Sequence, residues 1–200
     1  MQLLETLLPS TCVGCRKVGR PICEACLEEL RPNPRRVERG IIGWAGVDYG
    51  EVATSAINAF KERGRTALLG EFCRIVDAID LPEGCVLVGL PSAATATRKR
   101  GFVPAELFAE RLARRRSLQS AHALVFTRQI ADQATLSKAD REANLAGSML
   151  AKPLRGPIVL VDDVITTGAS MREAARAMAA AGNQVVGFIT IAETILKIDA

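Results

Sequence analysis

The chain has 200 residues, 48% hydrophobic and 24% charged, at 21.4 kDa; this fits one ordinary globular domain with a small appendage and excludes a disordered chain. Its longest charge-free stretch, Ala177 to Ala192, is interrupted by Gly182, Asn183 and Gln184 and falls short of the roughly 20 apolar residues a membrane span needs. The net charge of +4 is unevenly spread, with seven basic residues between Arg98 and Arg116 against Glu106 and Glu110.

The N-terminal residues Met1 to Pro9 carry Glu5 and no cationic start, so a signal peptide is not expected and the chain is placed in the cytoplasm. Cys12-x-x-Cys15 and Cys23-x-x-Cys26 follow. Each C-x-x-C folds the backbone so that two thiolates converge, and two such knuckles complete a tetrahedral sulfur shell. Zinc suits that shell by softness and geometry, with an iron–sulfur centre or two disulfides as alternatives. A four-cysteine site leaves no open position, so its expected role is to fold residues 1–30, a segment too short for its own core. Cys73 and Cys85 lie in apolar segments and read as core.

Arg31-Pro-Asn-Pro-Arg-Arg36 makes a poor helix or strand, which sets a linker at 31–40 and the main domain at 41–200. Ile41 to Tyr49 reads as a strand, Val52 to Arg63 and Thr66 to Ile79 as amphipathic helices, and Cys85 to Leu90 as a buried strand. Pro104 opens a helix through Arg115, Ala123 to Thr127 is strand-like, and the polar Gln129 to Lys138 reads as a loop. Ile158 to Val161 is the next buried strand, Ala169 to Ala181 a helix ended by Gly182, and Gln184 to Ile191 a last strand. This alternation predicts an α/β fold with a mostly parallel sheet covered on both faces.

Chemistry concentrates in Ile158-Val-Leu-Val-Asp-Asp-Val-Ile-Thr-Thr-Gly-Ala-Ser170. An apolar strand delivers its polar end to the edge of the sheet where open α/β folds bind ligands. Thr166, Thr167, Gly168, Ala169 and Ser170 then offer unpaired amides and hydroxyls at a helix N-terminus, a cradle for phosphate. Asp162 and Asp163 repel phosphate, so the ligand must also carry hydroxyls or a metal; a ribose 5-phosphate meets both requirements. Neither G-x-G-x-x-G nor G-x-x-x-x-G-K-[ST] occurs, which removes the usual signs of a dinucleotide fold or a nucleoside triphosphatase. His122 is the single histidine; with no nucleophile motif beside it, it is given no catalytic role.

The segment 158–170 resembles the phosphoribosyl diphosphate motif of type I phosphoribosyltransferases, in which the acidic pair holds the ribose hydroxyls and the Thr-Thr-Gly loop the 5-phosphate. Together with the cysteine pairs, Ile57-Asn-Ala-Phe-Lys61, Leu90-Pro91-Ser92, Arg98-Lys-Arg-Gly-Phe102, Arg128, Gln133, Leu136, Arg141 and Asn144, it makes nearly the whole chain similar to the ComF family, phosphoribosyltransferase-like proteins linked to competence and DNA uptake. The resemblance implies a type I phosphoribosyltransferase-like domain behind a zinc-binding segment. It also implies that Pro91 and Ser92 start the diphosphate loop, with Lys99, Arg100 and Lys61 as cations and magnesium bridging diphosphate and ribose. Arg128, Gln133, Arg141 and Asn144 would lie in a hood that closes over substrate. The expected catalytic set is Asp162, Asp163 and Arg100, acting through hydroxyls, metal and leaving group rather than as a proton-transfer base. Val103-Pro104 and Ala93 to Thr97 depart from the family's more polar and more basic pattern.

Two functional readings follow. The first is displacement of diphosphate from a phosphoribosyl group by a nucleophile. The second is a non-catalytic module that binds a nucleotide or single-stranded DNA through Arg111, Arg114, Arg115 and Arg116, working with competence proteins. The competing reading of that strip is a solvated helix end, where cations are favoured by the dipole, and only 4% of the chain is aromatic, which leaves few stacking platforms for single strands.

Overall fold

A computed structural model describes residues 10–128 and 144–194. The polar loop 129–138, Gln133, Leu136, Arg141 and the first nine residues lie outside them.

Among the described residues, six strands form the central sheet: β3 (Arg35–Glu38), β4 (Ile42–Asp48), β5 (Val86–Gly89), β6 (Gln119–Ser120), β9 (Pro157–Ile165) and β10 (Gln184–Glu193). Their order is β3-β4-β10-β9-β5-β6, with only the β3–β4 pair antiparallel. Pro157 starts β9 where no ladder donor is required, and the β-branched run behind it fits a strand buried on both faces. The small hairpins β1 (Ser10–Thr11) with β2 (Val18–Gly19) and β7 (Leu124–Phe126) with β8 (Met149–Ala151) stand apart from this sheet.

One face of the sheet packs on α2 (Glu51–Arg63), α3 (Leu69–Val76) and α5 (Pro104–Arg116); the other packs on α6 (Ala169–Ala180). Phe60 of α2 meets Phe72 of α3 edge-on at 5.6 Å, and Phe72 meets Phe108 of α5 at 6.5 Å. These buried rings fix the roll of α2, so Lys61, the next residue, projects toward the ends of the strands. The cysteine segment with α1 (Glu24–Glu29) joins the same core: Cys12, Val13, Ile22 and Cys26 are buried with Val52, Ala56 and Ile57 of α2.

Several elements differ from the sequence reading. Residues 35–38, assigned to a linker, form the edge strand β3, because Val37 is buried against the sheet while its charged neighbours face out. Ala94–Arg100, read as loop, is a short helix, α4, whose alanines and threonines carry no apolar period. The helix expected from Thr66 is a 3-10 turn, Thr66–Leu68, before α3.

Gly89 ends β5 directly beneath the start of α5; an added Cβ would stand 2.4 Å from the Glu106 nitrogen and 2.5 Å from the Ala105 carbonyl carbon. Backbone must move to admit it, so Gly89→Ala is expected to cost about 3 kcal/mol and to lower the melting temperature by about 6–12 °C; an unchanged melt would contradict the close approach.

His122 bridges Glu106 at 2.8 Å and Glu110 at 2.7 Å. Its partial burial would lower its pKa, but the hydrogen bond to Glu110 and the charge of Glu106 outweigh this and raise it. A raised folded pKa makes the contribution full below the unfolded value near 6.5, and the contribution disappears as pH rises through the folded value. His122→Gln should therefore lower the melting temperature by about 1–2 °C at pH 6 and leave it unchanged at pH 9, an exposed pair contributing under about 1 kcal/mol. An equal loss at both pH values would refute the ion pair.

Candidate functional site

Strand β9 does not stop at Val161; it continues through Asp162 and Asp163 to Ile165, so the acids stand on the strand and not on a turn after it. Neighbouring strand residues point to opposite faces. Asp163 is buried toward α2, where its carboxylate meets Lys61 Nζ at 2.9 Å. Burial alone would lower the Lys61 pKa, yet Asp163 and Asp162 raise it above the ordinary lysine value, so Lys61 stays charged. Asp162 accepts the Asp163 backbone N–H at 2.8 Å; desolvation, then the adjacent Asp163 charge, pushes its pKa up to about 7.

After β9 the chain turns through Thr166 and Thr167 into α6. Gly168 adopts φ +79° at the N-cap, a left-handed conformation that glycine takes without steric cost. The first amides of α6 have no intrahelical partners. Thr167 Oγ1 accepts the Ala169 N–H at a long 3.4 Å.

A cavity of about 490 Å³ opens over these strand ends and is lined by Lys61, Pro91, Ser92, Arg100, Asp162, Asp163, Thr166 and Ser170. Thr167, Gly168 and Ala169 line an adjoining recess of about 40 Å³ together with Asp162. Of the other expected residues, Lys99 is exposed on α4 and does not line the cavity. Arg128 also lies outside its wall; it donates to the carbonyls of Asn144 and Ala146. Tyr49, Asn58, Thr95, Phe126, Met149 and Thr194 complete parts of the wall and escaped the sequence reading. Asn58 carries the one signal that points to it, a position three residues before Lys61 on the same helix face.

Arg100 pairs with Glu62, the residue after Lys61, while its Nε is buried without a partner among the described residues. The C-terminal end of α2 thus engages both an acid and a guanidinium of the cavity. Two of the four arginines of the α5 strip are committed within the fold: Arg115 pairs with Asp77, and Arg116 donates to the carbonyls of Val76, Asp77 and Ile79 at and just beyond the end of α3.

The four thiols of Cys12, Cys15, Cys23 and Cys26 lie within 4.8 Å of one another. A tetrahedral zinc with bonds of about 2.3 Å sets its sulfurs about 3.8 Å apart, and Cys15 and Cys23 stand at 3.5 Å, so the set fits one such ion. Burial would raise the Cys12 thiol, but N–H groups of Cys23, Cys15 and Gly14 pull it down to about 6. Cys26 is pushed up to about 12 by burial and by the neighbouring thiols. The Cys12 thiolate forms readily, whereas a cation is what ionises Cys26.

No helix among the described residues is long and apolar enough to cross a membrane. No curated protein matches the chain. Solved structures that resemble it include an adenine phosphoribosyltransferase, 14% identical, covering 84% of this chain and 89% of that one at a TM-score of 0.42. An orotate phosphoribosyltransferase from Aeropyrum pernix is 16% identical, with coverage of 85% and 80% and a TM-score of 0.40. An adenine phosphoribosyltransferase from Leishmania tarentolae is 12% identical, with coverage of 85% and 88% and a TM-score of 0.36. The family model described as "Phosphoribosyl transferase domain" matches residues 96–197, a span that contains the acidic pair and the Thr-Thr-Gly turn. The chain belongs to the phosphoribosyl transferase domain family.

Proposed function

We propose that this protein binds phosphoribosyl diphosphate and transfers its phosphoribosyl group to a nucleophile. The observation that carries this reading is the single cavity wall shared by Asp162, Asp163, Thr166 and Ser170: hydroxyl acceptors and phosphate donors at the end of one strand. The 5-phosphate sits on the amides from Thr166 to Ser170, each charge-assisted hydrogen bond contributing about 1.5–3 kcal/mol. Asp162 and Asp163 accept from the ribose hydroxyls, and Lys61 pairs with the Asp163 carboxylate at 2.9 Å. The diphosphate lies along Pro91 and Ser92 toward Arg100. A magnesium ion carried with the diphosphate would supply charge neutralisation to the leaving group. The bond from the ribose anomeric carbon to diphosphate breaks, the diphosphate departs with the electron pair, and the nucleophile bonds to that carbon. Arg100 stabilises the departing charge.

The four cysteines hold a structural zinc in this proposal. The ComF-like order of motifs connects the activity with DNA uptake, acting alongside competence proteins in the cytoplasm; loss of transformation in a strain carrying Asp163→Asn would support that connection, and normal transformation would remove it. Commitment of Arg115 and Arg116 within the fold favours the sugar-phosphate reading over a single-stranded-DNA module on α5.

The direct test mixes the protein with magnesium and phosphoribosyl diphosphate and follows binding by calorimetry and diphosphate release by a coupled assay, with and without nucleobases. Micromolar binding that Asp163→Asn weakens at least tenfold is expected; absence of binding would overturn the reading. Because Asp162 titrates near 7, affinity for unphosphorylated ribose should rise between pH 6 and pH 8 as its carboxylate ionises. Asp162→Asn should remove that rise, and a flat wild-type profile would contradict it.

A further inference from the structure

A turn that grips an anion must aim its N–H groups at the ligand and its carbonyls away from it, because a carbonyl oxygen facing a phosphate repels it. In this chain two carbonyls of the turn are held from behind. Arg39 Nε donates to the Thr166 carbonyl at 3.2 Å, and Arg172 donates to the Thr167 carbonyl at 2.9 Å. The same Arg172 nitrogen donates to the Arg39 carbonyl at 2.9 Å, so the two arginines are joined to each other. Glu193, at the end of β10, holds the head of Arg39 at 2.5 Å, and its side chain is only 13% exposed. Gly168 lies directly against this assembly: a Cβ there would stand 2.5 Å from Arg39 Cβ and 3.1 Å from the Arg172 guanidinium.

We infer that Arg39, Arg172 and Glu193 are positioning residues that orient the 166–168 turn for phosphate. The inference rests on the reading of residues 166–170 as a phosphate cradle. The three side chains come from remote parts of the chain: the turn between β3 and β4, the first turn of α6 and the end of β10. None lines the cavity, so they act through the turn. Restraint before binding is what makes the donors effective, since the turn loses little freedom when phosphate arrives.

The experiment titrates ribose 5-phosphate into the wild type and into Arg39→Met, Arg172→Met and Arg172→Lys by calorimetry, with thermal melts of each. Methionine keeps an unbranched stem and removes the donors and the charge; lysine restores charge and a donor. The expected result is a loss of about tenfold or more in affinity for each Met variant, recovery in Arg172→Lys to within about threefold of the wild type, and a folded protein throughout. A merely structural role would leave Arg172→Lys no better than Arg172→Met. Unchanged affinity in both Met variants, with the wild type binding, would overturn the inference while the cradle stands. A wild type that does not bind ribose 5-phosphate would overturn the cradle itself. Should the Met variants unfold, Glu193→Gln decides: an affinity reduced about threefold or more supports the brace, and an unchanged affinity refutes it.

Discussion

Gly168→Ala is expected to abolish measurable binding of ribose 5-phosphate, a loss of at least about a hundredfold, while leaving the zinc content unchanged. Two physical effects combine. The backbone at Gly168 has φ +79°, a region that costs an L-residue about 1 kcal/mol or more. The added methyl would also stand 2.5 Å from Arg39 Cβ and 3.0 Å from the Arg39 carbonyl oxygen, a distance at which the turn or its neighbour must shift. A shift of about 1 Å breaks the convergence of two amides on one phosphate, and two charge-assisted hydrogen bonds at about 1.5–3 kcal/mol each correspond to a hundredfold or more. Calorimetry against ribose 5-phosphate, with metal analysis of the same sample, reads both halves of this expectation. Retained affinity would mean that phosphate binds elsewhere.

Removing the metal that the four-cysteine cluster is proposed to hold should have the largest effect on stability. The cysteine segment is not an independent appendage in its packing: Cys12 and Cys26 are 1% and 3% exposed and share a core with Val52, Ala56 and Ile57 of α2. Arg65, just after α2, donates to the Thr11 carbonyl at 2.9 Å. Without a cation, the neutral Cys26 thiol and its neighbours crowd one another, and Gly14 stands so near that a Cβ on it would lie 2.7 Å from Cys26 Sγ. Chelation, or Cys26→Ser, is expected to cost about 4 kcal/mol, a fraction of the 10–16 kcal/mol with which isolated zinc-finger peptides hold their metal. For a chain of this size that lowers the melting temperature by about 8–16 °C. Because α2 also carries Lys61 to Asp163, ribose-phosphate affinity should fall with it. A melting curve indifferent to a strong chelator would contradict a structural metal.

The sequence made the two ends of the fold's central crossover readable. β-branched residues at 158, 159 and 161 announce a buried strand, and a glycine before an alanine-rich run announces the start of α6. The cysteine cluster was readable for a different reason, since thiolate pairs at two-residue spacing have few other uses. Edge strand β3 was hidden because only Val37 of its residues faces the core, so neither alternation nor an apolar run marks it. α4 was hidden by its small side chains. Lys99 and Arg100 were both expected as cations for the diphosphate, but successive helical residues diverge by about 100°, and only Arg100 reaches the cavity. Arg39 could not be found at all: its place behind the turn depends on a contact 127 residues away, and nothing local in a charged, proline-rich stretch encodes that.

The most direct measurement is a two-dimensional amide NMR titration with ribose 5-phosphate and, separately, with ribose. The amides from Thr166 to Ser170 should shift strongly with the phosphorylated sugar and hardly with ribose, while those of Asp162 and Asp163 respond to both. Shifts confined to α5 around Arg111 and Arg114, with the Thr-Thr-Gly turn unmoved, would contradict it.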